Sequence, residues 1–147
     1  MKKQQISLKN KALDFLSRRD YGYHELYVKL QKYCEDLEEI KQVLDDLKRK
    51  NFLSEKRYIN SYLRSKQVKY GIRKIRYDLL QKNVDADVLE EVLASNQANE
   101  YEAAYTIWQR KFGVVATENK ERLRQMRFLQ SRGFSSDVIT KIIKNKN

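Results

Sequence analysis

The sequence contains no proline, four glycines, one cysteine and one histidine in 147 residues. Because glycine and proline form many of the tight turns between short strands, their scarcity excludes a turn-rich β-sandwich. Cys34 cannot form an internal disulfide, and Cys34 and His24 are too few for a Cys/His zinc site. The chain lacks an apolar signal segment and any apolar run of about eighteen residues, so we expect a cytoplasmic protein with no membrane span.

What the sequence has in abundance is charge. Charged residues make up 35% of the chain and hydrophobic residues 41%, a mixture typical of amphipathic helices around modest cores. The 31 Lys and Arg residues exceed the 20 Asp and Glu residues, which gives a net charge of +11. This surplus indicates an anionic partner, which could be a nucleic acid, an acidic protein surface or a charged membrane.

The charges are segregated along the chain. Residues 56–77 carry eight Lys and Arg residues and no carboxylate, whereas residues 83–109 carry six carboxylates and no Lys or Arg. Basic residues predominate again from Arg110 to the C-terminus. The distribution predicts a molecule with distinct basic and acidic surfaces.

Apolar residues recur at helical spacing through the whole chain and predict nine helices. Tyr-Gly pairs interrupt the pattern at Gly22 and at Gly71. Ser54 and Asp85 carry side-chain oxygens suited to helix N-caps, and we expect them to begin the fourth and sixth helices. Trp108 shares a helical face with Tyr105 and Phe112, which predicts that this face is core.

The recurrent Tyr-Gly break reveals an internal repeat of about fifty residues. A shift of 49 positions aligns Gly22 with Gly71, Leu26 with Ile75, Leu30 with Leu79, Ile40 with Leu89 and Leu44 with Leu93. A further shift of 50 aligns Leu79 with Leu129, Asp87 with Asp137, Leu89 with Ile139 and Leu93 with Ile143. The third copy is the most diverged, since Gln125 stands where the other copies have Leu26 and Ile75.

These observations predict an all-α protein of three tandem three-helix repeats. We place a basic N-terminal tail at 1–7 and the repeats at 8–52, 53–97 and 98–147. Because one short apolar stripe per helix buries little area, we expect neighbouring repeats to share their stability, as in other repeat arrays. The expected product is an elongated, curved molecule, and its high net charge favours a monomer.

The repeat sequences resemble those of the RecX family, the bacterial regulators of the RecA recombinase. The most similar stretches are residues 58–66, YINSYLRSK, and residues 70–80, YGIRKIRYDLL, which match the aromatic-rich helix, the glycine break and the R-x-I-x-x-[DE]-L helix of that family. Residues 19–26, RDYGYHEL, and 127–135, RFLQSRGFS, are similar to the first and last repeats.

The resemblance implies a regulator that is not an enzyme. It implies binding to the RecA nucleoprotein filament on single-stranded DNA, within the helical groove of the filament, and suppression of ATP hydrolysis, strand exchange and coprotease activity. Such a protein modulates recombinational DNA repair and the SOS response. Contact with double-stranded DNA stays open, and no cofactor or membrane partner is expected.

The candidate residues for filament or DNA contact are basic and fall in two groups. The central group follows from the carboxylate-free stretch, and the C-terminal group is the second choice. The central group is Arg57, Arg64, Lys66, Lys69, Arg73, Lys74 and Arg76. The C-terminal group is Arg122, Arg124, Arg127 and Arg132. The alternative for both groups is an ordinary solvated helix surface.

No catalytic arrangement accompanies these basic residues. His24 has no nucleophile or carboxylate pair with which to form a catalytic set, and the chain has no glycine-rich phosphate loop. Tyr58 and Tyr62 could stack on unpaired bases, but their place on the apolar stripe favours packing.

Two other functions remain open at this point. One is a general single- or double-stranded DNA-binding protein that acts without RecA, which predicts equal binding to bare DNA and to filaments. The other is an adaptor that binds a basic partner through the acidic residues of the sixth and seventh helices. The adaptor would depend on Glu90, Glu91, Glu100 and Glu102.

Overall fold

The computed structural model describes residues 7–96 and 99–144, which form nine α-helices and no strand. The first repeat comprises α1 (Leu8–Arg18), α2 (Tyr23–Leu30) and α3 (Leu37–Arg49). The second comprises α4 (Glu55–Lys66), α5 (Ile72–Gln81) and α6 (Ala86–Ala94). The third comprises α7 (Glu100–Lys111), α8 (Asn119–Ser131) and α9 (Ser136–Lys144). The predicted fold of three tandem three-helix repeats is confirmed. Residues 1–6 of the predicted tail lie outside the described residues.

Both predicted N-caps are present. The Ser54 hydroxyl accepts a hydrogen bond from the Arg57 amide at 3.1 Å and begins α4. Asp85 begins α6 and accepts from the amides of Asp87 at 2.9 Å and Val88 at 3.1 Å. Each cap satisfies amides that the first helical turn cannot pair internally, and such caps stabilise a helix by about 1 kcal/mol.

Each repeat has its own hydrophobic core. The buried side chains of the three cores include, in chain order, Leu26, Leu30, Ile40, Leu44 and Leu47, then Ile59, Leu63, Ile75, Leu79 and Leu89, and finally Trp108, Leu129, Phe134, Ile139 and Ile142. Three helices closing on one another bury their apolar stripes within a repeat, and hydrogen bonds also link successive repeats. The expectation that neighbouring repeats share their stability stays a prediction.

A polar pair explains the divergence of the third repeat. Gln125 is buried, and its side-chain oxygen accepts from the indole nitrogen of Trp108 at 2.9 Å. Its amide nitrogen donates to the Val114 carbonyl at 3.0 Å, so the buried amide is paired at both ends. Trp108 is core as predicted, but Tyr105 is 42% exposed and lies at the edge of that face.

The second repeat lies between the other two. The Arg57 guanidinium reaches the Asp20 carboxylate of the first repeat at 3.2 Å. The Gly71 amide donates to the Arg132 carbonyl of the third repeat at 2.6 Å. Within 7–96 and 99–144, no hydrogen bond or ion pair joins the first repeat to the third, so the second repeat makes the polar contacts with both of the others.

Candidate interface for an anionic partner

The second and third repeats meet through two backbone hydrogen bonds. The Gly71 amide donates to the Arg132 carbonyl at 2.6 Å, and the Arg73 amide donates to the Gly133 carbonyl at 3.1 Å. Gly133 has a φ of +94°, a conformation that glycine adopts without strain. The two backbone segments approach so closely that a Cβ on Gly71 would lie 2.5 Å from the Gly133 carbonyl oxygen. This contact brings Lys69, Arg73 and Lys74 of the central group close to Arg132 of the C-terminal group.

Arg132 is the best-fixed cation at this meeting point. One of its terminal nitrogens donates to the Lys69 carbonyl at 3.1 Å. Its guanidinium carbon lies 4.9 Å from the ring centre of Phe128 and 5.7 Å from that of Tyr70. A guanidinium held by a carbonyl and two rings loses little freedom when it binds an anion.

Neighbouring cations complete a basic surface. Lys74 lies 5.2 Å from the Tyr70 ring and 3.6 Å from Asp78, its neighbour on α5. Arg73 and Lys69 are exposed, and among the described residues no carboxylate pairs with either side chain.

Beside these residues lies a cavity of about 320 Å³. It is lined by Val68, Lys69, Ile107, Arg110, Lys111, Phe128 and Arg132. Four of the seven are cations, and none is a carboxylate. Arg110 and Lys111, which end α7, are absent from the sequence-based set of candidates. Their place directly after the acidic interval concealed them, although they begin the second basic stretch of the chain.

We call the residues Lys69, Arg73, Lys74, Arg110, Lys111 and Arg132 the basic junction. Three of these residues belong to the second repeat and three to the third. Lys111 also lies over the Phe128 ring, with its Nζ 5.1 Å from the ring centre. Clustered cations of this kind attract phosphates or carboxylates and raise the rate at which they bind.

Carboxylates from α6 neutralise another part of the central basic stretch. Arg76 makes two contacts with Glu90, at 2.9 and 3.1 Å, and Lys56 lies 3.4 Å from Glu91. Residues 56–77 contain no carboxylate in sequence, but carboxylates of α6 lie next to two of their cations in the fold. Because exposed ion pairs contribute only about 0–1 kcal/mol, a partner could still displace them.

Arg57 lies apart from the basic junction and links the first two repeats. Besides its ion pair with Asp20, its guanidinium donates to the Asn51 side chain at 3.2 Å and to the Asn51 and Phe52 carbonyls at 2.9 and 3.1 Å. These contacts occupy its donors, so an external partner would compete with several internal bonds.

The remaining candidates occupy varied surroundings. Arg64 and Arg127 are exposed, and Lys66 lies 5.5 Å from the Tyr62 ring. Arg124 pairs twice with Glu121, at 2.9 and 3.0 Å, and this pairing lowers the pKa of the Glu121 carboxyl. Arg122 donates to the Ala116 carbonyl at 3.4 Å.

Half-buried carboxylates at the start of α4 and α7 link successive repeats. Glu55 accepts from the Tyr23 amide at 2.9 Å and from the Asp85 amide at 2.8 Å. Glu100 is the first residue of α7 and accepts from the Ile72 amide at 3.3 Å, at the start of α5. Each carboxylate thus caps the second helix of the preceding repeat, and the sequence gives no local signal of this distant contact.

Burial raises the pKa of the Glu100 carboxyl, while the Ile72 amide and the nearby Arg76 and Arg73 guanidinium groups oppose the rise. A folded-state pKa above the unfolded value means that ionisation of this group costs stability. That cost is absent below the unfolded pKa and is complete once the pH exceeds the folded pKa.

We therefore expect Glu100→Gln to become more stable relative to the unmodified protein as the pH rises from 4 to 7. The amide oxygen still accepts from Ile72 but cannot ionise. Glu100→Ala leaves the Ile72 amide unpaired and should lose about 1–3 kcal/mol. Urea unfolding across this pH range measures both variants. The control is Glu102→Gln on the exposed side of α7, and an equal pH trend in that control would contradict the assignment to Glu100.

The surroundings of the acidic residues weigh against the adaptor hypothesis. Glu90 and Glu91 pair with Arg76 and Lys56, and Glu100 caps α5. Of the four residues on which an adaptor would depend, only Glu102 is exposed without such a contact in the described part of the chain.

A second cavity, of about 430 Å³, lies between the first and second repeats. Its lining includes three carboxylates, those of Asp45, Glu55 and Asp85, together with His24 and one cation, Lys48. The two repeat boundaries therefore differ in charge, and the basic one is between the second and third repeats.

The described residues also lack two other kinds of feature. Within them, no three His, Cys, Asp or Glu side chains cluster as they would around a metal ion. None of the helices described is both long and apolar enough to cross a membrane.

Comparison with known proteins agrees with the repeat architecture. Models of the RecX first, second and third three-helix domains match residues 9–47, 54–93 and 98–143. Regulatory protein RecX of Leptothrix cholodnii is 41% identical over 140 residues, which cover 95% of this chain and 89% of that protein. Regulatory protein RecX of Herminiimonas arsenicoxydans is 38% identical over 146 residues, which cover 99% of this chain and 97% of that protein.

A solved structure shows the same fold. The crystal structure of RecX from Lactobacillus salivarius superposes with a TM-score of 0.81, covering 94% of this chain and 93% of that chain at 22% identity. Together, the three matching domains and the relatives of similar length establish that the chain belongs to the RecX family of regulatory proteins.

Proposed function

We propose that this protein binds the RecA nucleoprotein filament and inhibits its ATP hydrolysis, strand exchange and coprotease activity. It thereby modulates recombinational DNA repair and the SOS response. Membership of the RecX family supports the regulatory role, and the basic junction supports a partner that carries phosphates. The protein acts by binding in the cytoplasm, as a monomer and without a catalytic step.

The basic junction is the observation that carries the proposal. Its six cations come from two successive repeats and span residues 69–132, and the Gly71 and Gly133 contact holds them together. A tandem array of repeats can follow a helical filament over several subunits. The cations then face DNA phosphates or acidic RecA side chains, and the affinity falls as the salt concentration rises.

A general DNA-binding protein is the second candidate, and the basic cavity favours it. In that case the protein competes with RecA for DNA and binds filaments no more tightly than bare DNA. The two candidates differ in the amount of protein needed, because competition for DNA requires saturation of the lattice.

The test is DNA-stimulated ATP hydrolysis by RecA while this protein is titrated in. Binding to the same DNA without RecA is measured at the same salt concentration. We expect inhibition at substoichiometric amounts, at concentrations where little bare DNA is bound. Inhibition that appears only when the bare DNA is saturated would replace the proposal with the second candidate.

A further inference from the structure

The cavity beside the basic junction is formed by two repeats. Val68 and Lys69 follow α4 of the second repeat, whereas Ile107, Arg110 and Lys111 come from α7. Phe128 comes from α8, and Arg132 follows directly after that helix. No carboxylate lines it. A cavity that joins sequence-distant cations requires the intact junction, so it cannot be a property of one basic helix alone.

Two of the cations are held in place before any ligand arrives. Both lie over the Phe128 ring, with Lys111 Nζ at 5.1 Å and the Arg132 guanidinium carbon at 4.9 Å from its centre. The Lys69 carbonyl accepts from Arg132 at 3.1 Å and fixes the direction of the guanidinium. Preorganised cations of this kind bind a phosphate with little further loss of side-chain entropy.

The cavity also offers apolar surface. The Val68 side chain is 61% exposed, and Ile107, which also lines the cavity, is 7% exposed. An unpaired base can rest on such a surface, whereas bases inside a duplex are stacked and unavailable. The volume of about 320 Å³ is at the lower end for small-ligand sites and suits one nucleotide.

We propose that this cavity holds one nucleotide unit of a single-stranded DNA. Arg110, Lys111 and Arg132 bind its phosphate, and its base rests on Val68 and Ile107. The inference rests on the proposed function for the biological source of the strand, but the site itself can be tested without RecA. An acidic protein segment would match the cations and would leave the apolar surface unused.

The first test uses fluorescence anisotropy of a labelled oligothymidylate of about twenty nucleotides over a range of salt concentrations. The Arg110→Gln/Lys111→Gln variant removes two exposed cations whose side chains make no hydrogen bond or ion pair in the described residues, although Lys111 lies over the Phe128 ring. We expect its affinity to fall about tenfold or more and its salt slope to fall by about 0.7, because the two side chains share one phosphate. The control, Lys32→Gln/Lys48→Gln, removes the same charge from the exposed surface of the first repeat. Equal losses in both variants would overturn the site.

A second test separates the base from the phosphate. The unmodified protein should prefer oligothymidylate to an abasic strand of the same length, and Val68→Ser should remove this preference without changing helicity. Equal binding of both strands by the unmodified protein would overturn the base contact. Competition by polyglutamate as effective as that by oligothymidylate of equal charge would overturn single-stranded DNA as the occupant.

RecA ATPase inhibition, measured on the same variants, distinguishes the two proposals. If the unmodified protein binds oligothymidylate through the cavity but does not inhibit RecA, the site stands and the proposed function fails. If Arg110→Gln/Lys111→Gln binds oligothymidylate as the control does and the unmodified protein inhibits RecA, the proposed function stands and the site fails.

Discussion

The Lys69→Glu/Arg73→Glu variant is expected to inhibit RecA about ten- to a hundredfold less effectively than the unmodified protein. Both side chains are exposed, and neither has a carboxylate partner within the described residues, so the exchange breaks no internal ion pair. Each reversal removes one cation from the basic junction and adds one anion. If both face phosphates, the salt slope of filament binding should also fall by about two.

The control for this variant is Lys32→Glu/Lys48→Glu, which makes the same change in net charge at two exposed lysines of the first repeat. Both proteins should retain the helicity of the unmodified chain, and Lys69→Glu/Arg73→Glu should unfold at a slightly lower temperature because Arg73 stabilises the Glu100 carboxylate. We exclude Arg76 from the test because its pair with Glu90 would be lost at the same time. Undiminished inhibition by folded Lys69→Glu/Arg73→Glu would remove the basic junction from the mechanism.

The helical fold could be predicted because its signals are local. The spacing of apolar residues, the caps at Ser54 and Asp85 and the Tyr-Gly breaks each act within one or two turns of a helix. The repeat adds a longer-range constraint, since three similar segments of the chain favour three similar folds.

The candidate site could be predicted only in part, because charge along the sequence differs from charge in space. Arg76 lies in a carboxylate-free stretch, yet Glu90 of the next helix neutralises it. Conversely, Arg110 and Lys111 follow an acidic interval in the sequence, but in the fold they line the same cavity as Lys69. Such pairings depend on how repeats meet, and that contact depends on two glycines about sixty residues apart.

Gly71→Ala is expected to separate the second repeat from the third while leaving each repeat helical. Gly71 has a φ of −85°, which alanine adopts freely, so the substitution acts through space alone. The added Cβ would lie 2.5 Å from the Gly133 carbonyl oxygen and 2.7 Å from a ring carbon of Phe134. The backbone contact cannot give way as a flexible side chain does, so the hydrogen bonds of Gly71 and Arg73 to the third repeat should be lost. We expect a cost of about 2–4 kcal/mol at this contact.

Hydrogen exchange measures the separation directly, since the amides of Gly71 and Arg73 should lose protection while core amides keep theirs. Circular dichroism should show unchanged helicity because each repeat has its own core. The matched control is Gly22→Ala, whose Cβ would meet only the Tyr58 ring at 3.2 Å and Glu55 at 3.6 Å, both of them side chains. Inhibition of RecA should fall for Gly71→Ala and persist for Gly22→Ala, because only the former breaks up the basic junction. Full inhibition by a Gly71→Ala protein whose two amides exchange freely would mean that the repeats bind their partner independently.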